Sequence, residues 1–284
     1  LGLTVAVASG KGGTGKTTIA VNLAQVADEP ITLIDCDVEE PNGRFFIRME
    51  KPKHLADATV KVPSIDAGRC ISCGKCAEFC EYNALAMTKK GVMLFSELCH
   101  GCGGCVLVCP VQAITERDRV IGVIEEGAAA NIDFYQGILN VGEVMSPPLI
   151  RTVKNVKRNP MTILDSPPGT SCPMITAVTD SDFVVLVTEP TPFGMNDLVL
   201  AVEALRAIGI PFGVVINRDG SGDDKVDKYC EMENIEILAR VPDDRRVAVA
   251  YSKGIAAVKL MPEYKKLFTV LYKKVKERAG GAVS

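Results

Sequence analysis

Val5-Ala6-Val7-Ala8-Ser9-Gly10-Lys11-Gly12-Gly13-Thr14-Gly15-Lys16-Thr17-Thr18-Ile19-Ala20 joins an apolar run to a glycine-rich turn and then to a helix-forming segment. Gly10, Gly15, Lys16 and Thr17 fit the spacing G-x4-G-K-[ST] of a phosphate-binding loop. The strand before it and the helix after it are the context that this spacing requires. Glycines let successive backbone N–H groups turn inward to phosphate oxygens. The helix N-terminus adds a field that favours anions. Lys16 is placed to neutralise β- and γ-phosphate charge, and Thr17 to ligate Mg2+. The expected nucleotide contacts are Gly10, Gly12, Gly13, Thr14, Gly15, Lys16, Thr17 and Thr18, with ATP or ADP and Mg2+ as ligands.

Outward from this loop, short apolar runs bounded by turn residues recur at Thr4–Ala8, Ile31–Asp35, Met161–Leu164, Phe183–Thr188, Gly213–Asn217 and Ile237–Val241. Helical spacing lies between them, over Lys16–Ala27 and over Asn196–Ile208, which ends at Gly209. Apolar strands alternating with helices predict an α/β fold, a mostly parallel sheet covered by helices on both faces. Acidic residues at the carboxyl ends of strands, Asp35 and Asp165, face the crevice where such sheets bind ligands.

Between the second strand and the rest stand eight cysteines in two runs of C-x2-C-x2-C-x3-C. This is the spacing of a bacterial ferredoxin with two [4Fe–4S] clusters, in which the fourth cysteine of each run serves the other cluster. Cys70, Cys73, Cys76 and Cys109 are assigned to one cluster, and Cys99, Cys102, Cys105 and Cys80 to the other. The two halves repeat, each cysteine run being followed by an apolar pair, Ala84-Leu85 or Ala113-Ile114. Glu81 stands where the second run has Pro110. Zinc is the competing reading, but it favours paired C-x2-C knuckles with longer separations. His100 is expected beside the cluster or at the surface, since the cysteine set is complete without it. The expected organisation is a discontinuous domain of residues 1–62 and 120–284, with a ferredoxin-like domain of residues 64–118 inserted in it.

Of 284 residues 47% are hydrophobic, enough for a sizeable core, and the net charge of −3 gives no argument for nucleic acid. There is no run of about 20 apolar residues, so no spanning helix is expected. The apolar start reads as a buried strand rather than a signal peptide. Metal-type cysteine spacing beside a nucleotide loop points to a reducing cytosol.

The string Lys11-Gly12-Gly13-Thr14-Gly15-Lys16-Thr17-Thr18 resembles the deviant Walker A box of the MinD/ParA/nitrogenase-iron-protein family of P-loop ATPases. The resemblance implies an ATP-dependent homodimer in which Lys11 reaches the partner's nucleotide. Ile34-Asp35-Cys36-Asp37 resembles that family's switch I. There Asp37 would orient the attacking water and Asp35 would assist around Mg2+. Thr162-Ile163-Leu164-Asp165-Ser166-Pro167-Pro168-Gly169 resembles Walker B and switch II, with Asp165 on Mg2+ through water. Val215-Ile216-Asn217-Arg218 and Val241-Pro242-Asp243-Asp244 resemble the segments that read and cover the adenine, through Asn217, Pro242 and Asp243. Together with Gly137–Glu143 and Thr188–Gly194, these blocks resemble the group of MinD-type ATPases that carry an inserted ferredoxin domain.

Three cysteines lie outside the runs. Cys36 and Cys230 read as small core residues. Cys172 follows switch II, where the nitrogenase iron protein has a cluster ligand. No second cysteine accompanies it here, and a buried structural thiol is expected. Glu263–Arg278 is a lysine-rich amphipathic stretch, expected to be the last helix packing on the sheet rather than a membrane-surface anchor. The function expected is ATP-gated electron transfer through two clusters, between donor and acceptor proteins. The alternatives are an Mrp-like cluster-assembly carrier serving a client apo-protein, and a positioning ATPase with the clusters as redox sensors.

Overall fold

The computed structural model describes residues 2–47 and 52–281. Residues 1, 48–51 and 282–284, which fall inside the expected ranges 1–62 and 120–284, lie outside the described residues. β1 (Leu3–Ala8) passes through the glycine-rich loop into α1 (Lys16–Val26) and on to β2 (Ile31–Asp35). Next come β3 (Lys53–Ile65), α2 (Lys75–Phe79), the hairpin of β4 (Leu85–Thr88) and β5 (Gly91–Leu94), α3 (Gly104–Leu107) and β6 (Ile114–Ala129). The alternation resumes with β7 (Ile132–Leu139), α4 (Pro147–Lys154), β8 (Met161–Asp165), α5 (Cys172–Val178), β9 (Phe183–Thr188) and α6 (Pro192–Ile208). It ends with β10 (Phe212–Asp219), α7 (Lys225–Met232), β11 (Ile237–Pro242), α8 (Arg245–Ser252), α9 (Ala257–Leu260) and α10 (Pro262–Gly281).

Nine strands form one sheet in the order β11-β10-β9-β1-β8-β2-β7-β6-β3. The pairs from β11 to β7 are parallel, and β6 and β3 add antiparallel at one edge. The central strands read as unbroken apolar runs because both faces are covered. Val5 and Val7 of β1 face a core built with α1 and α10, while Ala6 and Ala8 face a second core built with α4, α5 and α6. The helix expected from Asn196 begins earlier, at Pro192, because Thr191 caps it by accepting a hydrogen bond from the Gly194 amide. α10 lays Tyr264, Phe268, Leu271, Tyr272, Val275 and Ala279 onto the sheet, as expected of the last helix, with Lys265, Lys266 and Lys273 exposed and Lys274 and Lys276 paired with Glu236 and Glu29.

The antiparallel edge decides where the cysteine segment goes. β6 pairs with β7 only from Gly122 (opposite Leu139) to Ala129 (opposite Ile132). Leu139 is the carboxyl end of β7, on the same sheet edge as Asp35 and Asp165. β6 runs the other way, so its residues ahead of Gly122 project beyond that edge, paired with β3 alone as far as Ile65 opposite Ile114. This two-stranded ribbon carries residues 66–113 outward on the side where the phosphate loop lies. The expected boundaries, 62/64 and 118/120, fall within the ribbon. Ala58, Val60 and Val62 turn into the sheet's core while Thr59 and Lys61 between them are exposed, and the two strands stay paired through register shifts at His54/Ala56 and Ala58/Thr59.

Candidate functional site

The phosphate loop leaves β1 at Ser9. Gly13 and Gly15 take left-handed backbone angles, φ +79° and +94°, where a side chain is strained. A Cβ on Gly10 would stand 2.1 Å from the Asp197 carbonyl oxygen, so the loop packs directly on α6. The Asn217 amide nitrogen, at the end of β10, donates to the Thr14 carbonyl at 2.7 Å and ties the loop to the expected base-reading strand. Asp243 continues from Pro242, its amide donating to the Asp219 carbonyl at 2.9 Å, beside Asn217. Thr18 lines a small cavity with Tyr251 of α8.

The structure brings Lys16, Asp35, Asp37 and Asp165 together. Val7, Asp165 and Asp35 are register partners across β1, β8 and β2, so three strand ends converge beside Lys16. Burial pushes the Lys16 ammonium below its ordinary range, with Asp165, Asp37 and Asp35 opposing. Burial, with a smaller push from Asp35, raises the Asp165 carboxyl well above the carboxylate range, and burial raises Asp37 to about 6 against the pull of Lys16. The two buried aspartates differ in their bonding. Asp35 accepts from the amides of Asp37, Asn42 and Gly43 at 3.1, 3.0 and 2.8 Å, which fastens the loop after β2. Neither oxygen of Asp165 meets hydrogen-bond geometry with any described residue, although the Thr17 hydroxyl is close enough to pull the carboxyl down. A buried carboxylate left this way beside the Thr17 hydroxyl has the chemistry of a divalent-cation site.

Lys11 is not free in this structure. Its ammonium lies 3.8 Å from the Glu189 carboxylate, which is also met by Arg218 at 2.7 Å. Neither Glu189 nor Arg218 was expected to act with Lys11, since nothing in a linear sequence pairs residues so far apart.

The cysteine segment folds as a repeat. Ser72, Gly74 and Asn83 have positive φ, and so do Gly101, Gly103 and Gln112 at the equivalent positions of the second half. Phe79 of α2 packs where a Cβ on Gly104 of α3 would lie, so the halves interlock. Two cavities result. One is walled by Cys70, Cys73, Cys76 and Cys109 with Ile65 and Ile114. The other is walled by Cys99, Cys102, Cys105 and Cys80 with Lys61 and Glu116. Each cavity thus draws three cysteines from one run and the last from the other. Among the described residues no three His, Cys, Asp or Glu side chains converge as they would on one ion. An all-thiol donor set around an apolar cavity suits an inorganic cube, which takes one thiolate at each iron corner. His100 stacks on Tyr82 at 3.6 Å and lines the second cavity. That cavity is the one nearer the sheet: Lys61 and Pro63 of the ribbon line it, and Cys99 packs against the sheet's core.

Cys36 and Cys230 are buried in the core, as expected. Cys172 corrects the sequence reading: it is exposed, because it is the first residue of α5 and the helix turns Met174 and Ala177 inward instead. Among the described residues no helix is long and apolar enough to cross a membrane.

The sequence profile of the CobQ/CobB/MinD/ParA nucleotide binding domain matches residues 5–258. The uncharacterized protein MJ0579 of Methanocaldococcus jannaschii is 31% identical over 260 residues, which cover 90% of this chain and 91% of that protein. An iron-sulfur cluster carrier protein of Methanococcus maripaludis is 24% identical over 298 residues, covering 96% and 85%. A ferredoxin of Pyrobaculum islandicum is 45% identical over 56 residues, 19% of this chain and 52% of that protein. The septum site-determining protein MinD of Pyrococcus horikoshii, solved with Mg-ADP, superimposes with a TM-score of 0.60 at 19% identity, covering 99% of each chain.

Proposed function

The chain belongs to the CobQ/CobB/MinD/ParA nucleotide-binding family and is a P-loop ATPase, and we propose that its nucleotide cycle governs electron transfer through two [4Fe–4S] clusters held by the inserted cysteine segment. The observation that carries this reading is the register of β6 on β7, with the cysteine-walled cavities projecting from the sheet edge that also holds the phosphate loop.

In this reading ATP lies along the loop, its phosphates on the backbone amides of Gly10 to Thr18 and on Lys16. Asn217, Pro242 and Asp243 hold the base. Thr17 and Asp165 hold Mg2+, with Asp35 supporting them through the loop it fastens. The ion supplies charge neutralisation at the phosphates. Asp37 orients the attacking water, and hydrolysis releases the loop after β2 and the segment after Asp165. Lys11 serves the nucleotide of a second copy, which makes the active form an ATP-dependent homodimer. Cys70, Cys73, Cys76 and Cys109 hold one cluster; Cys99, Cys102, Cys105 and Cys80 hold the other. The clusters supply one-electron steps between a donor and an acceptor protein, and the second cluster stands next to the ATPase sheet.

A test is reduction of an acceptor protein by the anaerobically prepared chain. Reduction that requires ATP and stops in Lys16→Ala supports the coupling; an equal rate without ATP defeats it. A second reading, a cluster carrier, is favoured by the relative of that name. Against a shared cluster near the carboxyl end, Cys230 is the only cysteine after Cys172 and is 1% exposed. Iron transfer to an apo-protein without net reduction would select that reading.

A further inference from the structure

Glu189 follows β9, and its carboxylate is shared between two cations from different parts of the molecule. Oε2 lies 3.8 Å from Lys11 Nζ in the phosphate loop. Oε1 lies 2.7 Å from Arg218 Nη1 at the end of β10, an ion pair outside hydrogen-bond geometry. The three side chains differ in freedom. That of Glu189 is 9% exposed, those of Lys11 and Arg218 29% and 54%. The Glu189 backbone is fixed as well: its carbonyl accepts from the Thr191 amide at 2.8 Å, and Gly194 approaches it where a Cβ would stand at 2.3 Å. The carboxylate is therefore a stationary anion, and the cations are the movable members.

We propose that Glu189 holds Lys11 within its own subunit, and that Arg218 is the counter-ion that lets Lys11 leave. The release step rests on the reading above, in which Lys11 serves the nucleotide of a second copy. An enclosed carboxylate cannot readily be left without a partner, because the penalty for an unpaired buried charge opposes the separation. Arg218 removes that obstacle. It makes the shorter contact, Lys11 the longer, so the Lys11 contact is the one that opens. Asn217, the neighbour of Arg218, is bonded to the Thr14 carbonyl, so Arg218 stays beside the loop when Lys11 goes. Glu189 and Arg218 are positioning residues acting through Lys11, and they set how much ATP is needed for dimer formation.

The arrangement predicts opposite effects for two substitutions that a merely structural role would move in the same direction. Glu189→Gln removes the hold. Arg218→Ala removes the substitute counter-ion and commits the carboxylate to Lys11. Two measurements on the full chain separate the parts of the proposal. The first is acylation of Lys11 by an amine-directed reagent without nucleotide, read by mass spectrometry against exposed Lys89. The second is sedimentation velocity against a non-hydrolysable ATP analogue. Glu189→Gln is expected to raise Lys11 acylation and lower the half-dimerising analogue concentration by roughly three- to fivefold, the range of a partly exposed ion pair. Arg218→Ala is expected to shift both the other way, and the double variant to follow Glu189→Gln. Should Glu189→Gln fold poorly, Glu189→Asp keeps the charge, withdraws it by one methylene, and is expected to move both readings in the same sense by a smaller factor. Unchanged Lys11 acylation, or the same direction in both single variants, overturns the proposal. If acylation responds as expected while no variant dimerises, the hold is supported and the dimer reading beneath the release step is overturned.

Discussion

Asp35 and Asp165 stand side by side at neighbouring strand ends, equally buried, and the structure gives them different work. Asp35→Ala removes the acceptor for three backbone amides and is expected to destabilise the fold by about 1–3 kcal/mol in equilibrium denaturation. Asp165→Asn removes a buried carboxylate that only the Thr17 hydroxyl approaches and whose burial opposes its charge, so stability is expected to hold or rise. Its Mg2+-dependent hydrolysis is expected to fall by roughly 10²-fold, the loss of an electrostatic group from a preorganised site. If both variants lost stability alike, the distinction drawn between them would be wrong. Gly10 makes a steric prediction. Gly10→Ala places a methyl carbon 2.1 Å from a backbone oxygen of α6, which cannot swing aside as a side chain can. Calorimetry is expected to find nucleotide binding lost while the far-ultraviolet spectrum is kept. At this scale the sequence was legible where contacts are local: the glycines, Lys16 and Thr17 declare themselves by spacing. Glu189 and Arg218 do not, because their meeting with Lys11 depends on β1, β9 and β10 lying together. Cys172 was misread because an apolar neighbourhood, Cys172-Pro173-Met174-Ile175, says nothing of which side of a short helix its first residue takes.

Elements show the same division. β1, β2, β8 and β9 are mostly apolar and buried along nearly their whole length, and such runs bounded by turn residues are visible in one dimension. β3 and β6 are half-exposed and carry charges such as Lys61 and Asp118, which pair across the ribbon and mask the underlying alternation. α10 was legible as an amphipathic helix, and its energetics follow from two features. Phe268 is fully buried in the core on its face of the sheet, so Phe268→Ala is expected to cost about 3–5 kcal/mol. Glu236, before β11, anchors the same helix through Arg278 and Lys274 at 2.8 and 2.9 Å. The Arg278 hydrogen bonds, then those of Lys274, hold its carboxyl down to about 2. A carboxyl depressed in the folded state contributes stability above its unfolded value, and that contribution is lost as pH falls towards the folded one. The difference in denaturation free energy between the wild type and Glu236→Gln is therefore expected to be full at neutral pH and to vanish between about 4.5 and 2. Because the group is partly exposed, it should not exceed about 1 kcal/mol. A difference that grew on acidification would contradict the assignment.

The whole molecule joins parts of unequal independence. The sheet has extensive cores on both faces, whereas the cysteine segment buries Cys76, Leu85 and Ile114 at its centre and little more. Segments with so small a core rely on metals or cross-links for order. With the proposed clusters in place, iron removal by a chelator is therefore expected to unfold residues 66–113, seen as new protease cleavage there, while the sheet stays intact and ATP still binds. The ribbon makes the converse test possible. Ile65 and Ile114 are cross-strand partners where the segment begins and ends, so a two-residue Asn-Gly turn can replace everything between them and close a hairpin. The shortened chain should fold, hold no iron, and bind ATP within about threefold of the intact protein, since loop changes of this kind shift closure entropy only slightly. What it should lose is any effect of an electron-accepting partner on hydrolysis. If it binds ATP normally and a partner still accelerates turnover, the clusters are passengers on the ATPase. If it fails to fold, the ribbon and its cargo are part of the sheet's own stability, and the two sites share one cooperative unit.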